Sequence, residues 1–235
     1  MPASRLVLVT GASSGIGAAV AREFASRGAR LALVARSADR LAGVADACGD
    51  EGGDARAFVC DVTDAHAVER MAGAVREWAG TPDVVVNNAG AFVPGGVLET
   101  TVDAFRQQLE VNAVSAFAVT RAFLAGMLER GSGRVLMMGS VASVRGYPGG
   151  AAYGAAKHAM LGLARALREE AKGTGVSVTT LLPGAVRTGS WDGTELPDER
   201  FMPPEDVARL AAEVASLSGR TVVEEVLLRP DAGDI

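Results

Sequence analysis

Short apolar runs alternate with longer stretches of helical period along the whole chain. The runs fall at 5–10 (RLVLVT), 31–35, 57–60, 84–86, 134–138, 176–182 and 222–228. Each is brief and rich in branched residues, as in a parallel strand buried on both faces. Between them, apolar positions recur every three or four residues. That spacing predicts helices beginning near Ala18 and spanning 38–48, 64–78, 102–129, 153–172 and 205–217. In 64–78 the apolar set is Ala67, Val68, Met71, Ala74, Val75 and Trp78, with Asp64 as cap. Trp78 belongs to the core on this reading and His66 to the surface. The segment 189–204 has no clear period, yet carries Trp191, Leu196, Phe201 and Met202. It reads as a small lid or as a passive surface connection. No repeat interrupts the alternation. Seven strands with helices between them predict one α/β domain over 1–235, a doubly wound parallel seven-stranded sheet with helices on both faces.

Composition narrows the partners. With 235 residues and 49% apolar, the chain can build a sizeable core. The net charge of −5 comes without a basic block, which argues against nucleic acid or an anionic membrane as partner. No apolar run approaches the roughly 18 residues of a membrane span, and the first strand begins so near Met1 that no signal peptide is expected. Cys48 and Cys60 lie in separate elements, which suggests small buried thiols in a reducing compartment. The expectation is a soluble cytoplasmic protein. With two histidines and no Cys/His cluster, no metal site is expected.

The chemistry begins at the first strand's end. Gly11-Ala12-Ser13-Ser14-Gly15-Ile16-Gly17 joins strand to helix directly, the context in which a glycine turn cradles a pyrophosphate. Gly11 permits the turn, Gly15 a close backbone approach and Gly17 close helix packing. The second strand ends at Ala35-Arg36-Ser37, where an acid would grip an adenosine ribose. Arginine there suits a 2′-phosphate instead, so NADPH is expected over NADH. Asp61, ending the third strand, is placed for the adenine amino group. Asn87-Asn88-Ala89-Gly90 follows the fourth strand with amides to brace strand ends and a glycine to leave room for a flat ring. Asn112 lies in an apolar stretch of helix and needs partners. Ser140 follows the fifth strand, where open α/β sheets bind ligands. Tyr153 and Lys157 stand four apart on a helix and share a face. The chain holds two lysines against 21 arginines, so a compact charge at this place stands out. A nearby ammonium, a second cation and a polar group are expected to lower the phenol from about pH 10 toward 7, roughly 4 kcal/mol of bias. Small residues on that helix (Ala155, Ala156, Ala159, Gly162, Ala164, Ala166) predict a subunit interface, with packing inside one chain as the alternative. His158 faces elsewhere.

In these motifs, in this order, the chain resembles the short-chain dehydrogenase/reductase family over essentially its whole length. The likeness rests on Thr10-Gly11-x-x-x-Gly15-Ile16-Gly17, Asn87-Asn88-Ala89-Gly90, Asn112, Ser140, Tyr153-x-x-x-Lys157 and Pro183-Gly184. The ending from Arg220 to Pro230 resembles a branch that includes bacterial sepiapterin reductase-like proteins. The resemblance implies a Rossmann-type fold, NADP(H), and carbonyl/alcohol chemistry by Asn112, Ser140, Tyr153 and Lys157. It implies a cofactor site of Gly11, Ser13, Ser14, Gly15, Ile16, Gly17, Arg36, Ser37, Asp61, Val62, Asn88, Ala89, Gly90, Tyr153, Lys157, Pro183, Gly184, Val186 and Thr188. Val141, Arg145, Tyr147, Trp191, Phe201 and Met202 are expected to line the substrate pocket. The expected activity is NADPH-dependent reduction of a ketone or aldehyde by a homodimer or homotetramer. The alternatives are an alcohol dehydrogenase working oxidatively and a non-catalytic NADPH-binding redox sensor. The chain lacks a long lid insertion and the glycine-rich extension many relatives carry after the last strand.

Overall fold

A computed structural model describes residues 5–235. Seven parallel strands form one sheet: β1 (Leu6–Thr10), β2 (Arg30–Ala35), β3 (Asp54–Val59), β4 (Val84–Asn87), β5 (Gly133–Met138), β6 (Val176–Pro183) and β7 (Glu225–Leu228), in the order β3-β2-β1-β4-β5-β6-β7. Seven helices connect them: α1 (Gly15–Ser26), α2 (Ala38–Asp50), α3 (Ala65–Ala79), α4 (Val102–Leu109), α5 (Ser115–Arg130), α6 (Ala151–Glu170) and α7 (Pro204–Ser216).

Side-chain alternation along each strand divides the core in two. Val7 and Val9 of β1, with Leu136 and Met138 of β5, pack under α1, α2 and α7 through Phe24, Leu41 and Val207. Leu6 and Leu8, with Val135 and Met137, pack under α3, α5 and α6 through Val75, Phe123 and Met160. The strand order reverses between β1 and β4, which opens a crevice at the carboxyl ends of the central strands.

The boundaries differ from the apolar pattern where solvent or packing overrides it. β3 begins at Asp54, ahead of the run at 57–60, because an edge strand tolerates polar residues on its open side. The long helix is interrupted by a wider turn, 110–114, centred on Asn112. By length and composition, 102–130 is long and apolar enough to cross a membrane, against the sequence expectation. It lies alongside the sheet, with Val119, Phe123 and Met127 buried in the core. α6 starts two residues ahead of Tyr153. Cys48 and Cys60 are buried and unpaired, and Asp64 caps α3 through the backbone N–H groups of His66 and Ala67. Trp78 packs on Phe58 at the edge of the core.

Candidate active site

The turn between β1 and α1 is shaped by what it excludes. Gly11 (φ 65°) and Gly15 (φ 54°) hold the left-handed conformation that glycine adopts at little cost. A Cβ on Gly17 would stand 2.3 Å from the Gly11 carbonyl oxygen and 2.4 Å from the Asn88 amide nitrogen. The side chain of Ser14 makes no capping bond to the helix start, and Ser14, Gly15 and Ile16 line the crevice. Asn88 fixes the floor. Its Nδ2 donates to the Thr10 carbonyl at 3.0 Å, while the Thr10 hydroxyl accepts the backbone N–H groups of Asn88 and Ala89, both at 3.0 Å. This is the expected bracing of β1 against β4. Asn87 points the other way, donating to the Thr120 hydroxyl at 2.8 Å.

A groove of about 810 Å³ runs along the carboxyl ends of the strands. At one end lie Arg36, Ser37, Asp61 and Val62, joined by Arg40 from the first turn of α2. Asp61 accepts the Thr63 backbone N–H at 3.0 Å and its hydroxyl at 2.7 Å. The backbone bond, the hydroxyl and Arg36 all hold its carboxyl below the usual range. In the middle lie Gly11, Ser13, Ser14, Gly15, Ile16, Asn88, Ala89, Gly90, Pro183, Gly184, Val186 and Thr188. Gly17 sits behind the wall. The cradle fits a dinucleotide: open helix N–H groups, glycines where Cβ atoms would intrude, and cations at the far end.

At the other end the structure brings together all four residues of the expected tetrad. Ser140 follows β5 in an extended conformation, its hydroxyl accepting the Ala142 N–H at 3.2 Å. The Tyr153 phenol is mostly buried and lies beside Ser140. Lys157 is buried beneath the tyrosine, its Nζ 5.6 Å from the ring centroid, and donates to the Met138 carbonyl at 2.8 Å. Asn112 is fully buried. Its Nδ2 donates to the carbonyls of Ala91 (3.0 Å) and Gln108 (3.1 Å), and its Oδ1 accepts the Ala91 N–H at 3.2 Å. A Cβ on Gly90 would touch both Asn112 Oδ1 (2.6 Å) and Lys157 Nζ (3.6 Å), so only glycine lets the two approach. The wide turn at 110–114 aims Asn112 at this loop.

One expectation is corrected. Burial pushes the Tyr153 phenol up to about 12, although the Ser140 hydrogen bond pulls it down. Burial also lowers Lys157 to about 8. Removing both groups from water outweighs the gain foreseen from their spacing, and the ammonium is bonded to the Met138 carbonyl. The phenol therefore keeps its proton at neutral pH and stands as a donor.

Val141, Arg145, Tyr147 and Trp191 line the groove beyond Tyr153. Phe201 and Met202 do not reach its wall. Met202 pairs with Val186, its N–H bonded to the Ala185 carbonyl at 2.9 Å, which turns the segment inward; Met202 joins the core and Phe201 packs behind Trp191, with ring centroids 5.2 Å apart. Sequence reasoning missed Phe92, edge-on to Tyr153 at 5.0 Å, and Arg40, Asp192 and Asp234 in the wall. Phe92 lies two residues past Gly90, and Arg40 four past Arg36, spacings that place both near the groove. For Asp234 there was no local signal. Among the described residues no cluster of three or more His, Cys, Asp or Glu suits a metal ion.

A doubly wound sheet with a glycine cradle at its switch point and a Ser/Tyr/Lys cluster beside it defines a dinucleotide-dependent oxidoreductase. The profile of the family described as short chain dehydrogenase matches residues 5–197, and the chain belongs to that family of oxidoreductases acting on alcohol and carbonyl groups. It is 35% identical to a D-threitol dehydrogenase of Mycolicibacterium smegmatis, covering 90% of this chain and 86% of that one. It is 34% identical to a sepiapterin reductase of Chlorobaculum tepidum over 98% of both chains. An alcohol dehydrogenase structure from the archaeon Thermococcus sibiricus, complexed with 5-hydroxy-NADP, superposes with a TM-score of 0.92 at 33% identity over 99% of each chain.

Proposed function

We propose that this chain is an NADPH-dependent reductase that converts a ketone or aldehyde to an alcohol. The observation that carries this reading is the Ser140 and Tyr153 hydroxyls together at the groove wall, with Lys157 buried behind them. The cofactor is NADP(H), as in the Thermococcus sibiricus complex. The cradle from Gly11 to Gly17 would hold its pyrophosphate, and Arg36 and Arg40 a 2′-phosphate. When bound, the nicotinamide supplies the hydride. Ser140 and Tyr153 donate hydrogen bonds to the substrate carbonyl oxygen, and Tyr153 delivers its proton as negative charge builds there. Lys157 has N–H groups beyond the one given to Met138, and these would grip ribose hydroxyls. Asn112 holds the Ala91–Phe92 loop in place. The segment 189–204 acts as a small lid, with Trp191 stacked over Phe92 as its inner face, ring centroids 6.2 Å apart.

Relatives of nearly equal identity act, by their names, on a sugar alcohol and on a pterin. The substrate is therefore proposed only as a small carbonyl compound. The unpaired buried thiols of Cys48 and Cys60 support a cytoplasmic setting. The test is a panel of ketones and aldehydes followed by NADPH absorbance, with Tyr153→Phe beside the parent chain. The variant is expected to lose at least about a thousandfold in kcat, within the range proton donation contributes, while its NADPH Kd changes little. Retention of most activity on an identified substrate rejects the assignment.

A further inference from the structure

The tail that follows β7 reaches the groove wall at Asp234 and Ile235, beside Arg145. There the Asp234 carboxylate accepts from Arg145 Nη1 at 2.9 Å and also pairs with Arg229, while its backbone carbonyl accepts from Arg200 Nη2 at 3.3 Å. The three arginines come from three places: the loop between Ser140 and Tyr153, the segment 189–204, and the end of β7. Of these, Arg145 alone reaches the groove wall. The other charged side chains on this side of the wall are Asp192 and Asp234, with Lys157 buried beneath Tyr153. An exposed guanidinium in a groove is a ready receptor for a carboxylate; Arg145 stays 63% exposed and shares Asp234 with Arg229, so the pairing weakens its charge and takes one of its donors.

We propose that Asp234 is a specificity-determining residue. By pairing with Arg145 it weakens the groove's exposed cation, so that the enzyme discriminates against keto acids relative to carbonyl compounds that are uncharged near the reacting carbon. This rests on the carbonyl-reductase reading above. Asp234 touches neither the reacting atoms nor the cofactor cradle; it acts through Arg145.

The experiment compares a γ-keto carboxylate with its methyl ester in the parent chain, Asp234→Asn and Asp234→Glu. The parent prefers the ester. Asp234→Asn raises the carboxylate-to-ester ratio of kcat/KM by about threefold or more, mainly through KM, with NADPH Kd unchanged. The gain fades with added salt and is removed by Arg145→Gln in the same chain, while Asp234→Glu retains the parent ratio. An unchanged ratio, or an equal loss on both compounds, overturns the proposal. A second readout needs no turnover. In a Trp78→Phe background, Trp191 reports from the groove, and its quenching by iodide relative to acrylamide rises about twofold in Asp234→Asn as local anion concentration increases. No rise overturns the proposal. Inactivity of the parent chain on both compounds counts against the reductase reading, and the quenching ratio still decides the role of Asp234.

Discussion

Lys157 carries its charge in a place that little water reaches. Burial lowers its pKa from 10.5 to about 8, so between those values the folded chain binds less of a proton than the unfolded one. Stability therefore rises with pH across that window. Above pH 10 the sign reverses, because Tyr153 keeps its proton up to about 12 when folded and loses it near 10 when unfolded. The unliganded protein is expected to gain on the order of 2 to 3 kcal/mol between about pH 7.5 and 10. Lys157→Met is expected to lack that gain. Urea unfolding at the two pH values checks it, and parallel pH profiles for the two proteins contradict the burial argument. The same burial makes the lysine a poor means of acidifying the phenol in this structure. In the unliganded chain Lys157 fills the space beneath the ring and ties α6 to the end of β5 through the Met138 carbonyl.

Two element junctions set what the groove binds. The β1–α1 junction is built on the contact between Gly17 and the Gly11 carbonyl. Gly17→Ala forces that contact apart and is expected to destabilise by about 1–3 kcal/mol, the range seen for overpacking, and to weaken NADPH binding. Thermal unfolding and dinucleotide titration measure both, and a variant that matches the parent in both shows the junction to be yielding. The β2–α2 junction presents Arg36 and Arg40 with no acid at Ala35. Replacing both arginines by alanine is expected to cut the preference for NADPH over NADH by at least about tenfold, since each charge-assisted bond to phosphate contributes about 1.5–3 kcal/mol. Equal kcat/KM ratios before and after removal assign the 2′-phosphate to other residues. The interruption of the long helix at 110–114 belongs to this scale too. A regular helix would carry Asn112 on along its own turn; the wider turn lets it bond both backbone groups of Ala91.

At the scale of the molecule, two outer faces are left apolar or small. Phe105, Val114 and Phe117 are exposed along α4 and α5, and Ala159, Gly162 and Ala166 form an exposed stripe on α6. Such surfaces suit a second copy of the chain, since apolar area gains by leaving water. A dimer or tetramer is expected by light scattering, and Phe117→Glu is expected to lower the mass by disrupting one interface. A monomeric mass for the unaltered chain rejects the expectation. The whole fold also decides which aromatic residues line the groove. Trp191 reaches the groove because Val186 and Met202 pair beneath it, and that pairing is what takes Phe201 and Met202 out of reach.

Local pattern was enough for the order of strands and helices, because periods of two and 3.6 express which face each element buries. It was enough for the glycine cradle, where backbone freedom is a property of the residue itself, and for the Tyr153–Lys157 pair, because one helical turn fixes their relation. It erred on the sign of the tyrosine shift, on Phe201 and Met202, and on the apolar character of 102–130. It was silent on Asp234. Proton affinity depends on how much water surrounding segments remove, and a tail can pair with an arginine nearly ninety positions earlier only after the sheet has brought them side by side. Spacing along a chain carries neither quantity; both arise when distant segments close on one another.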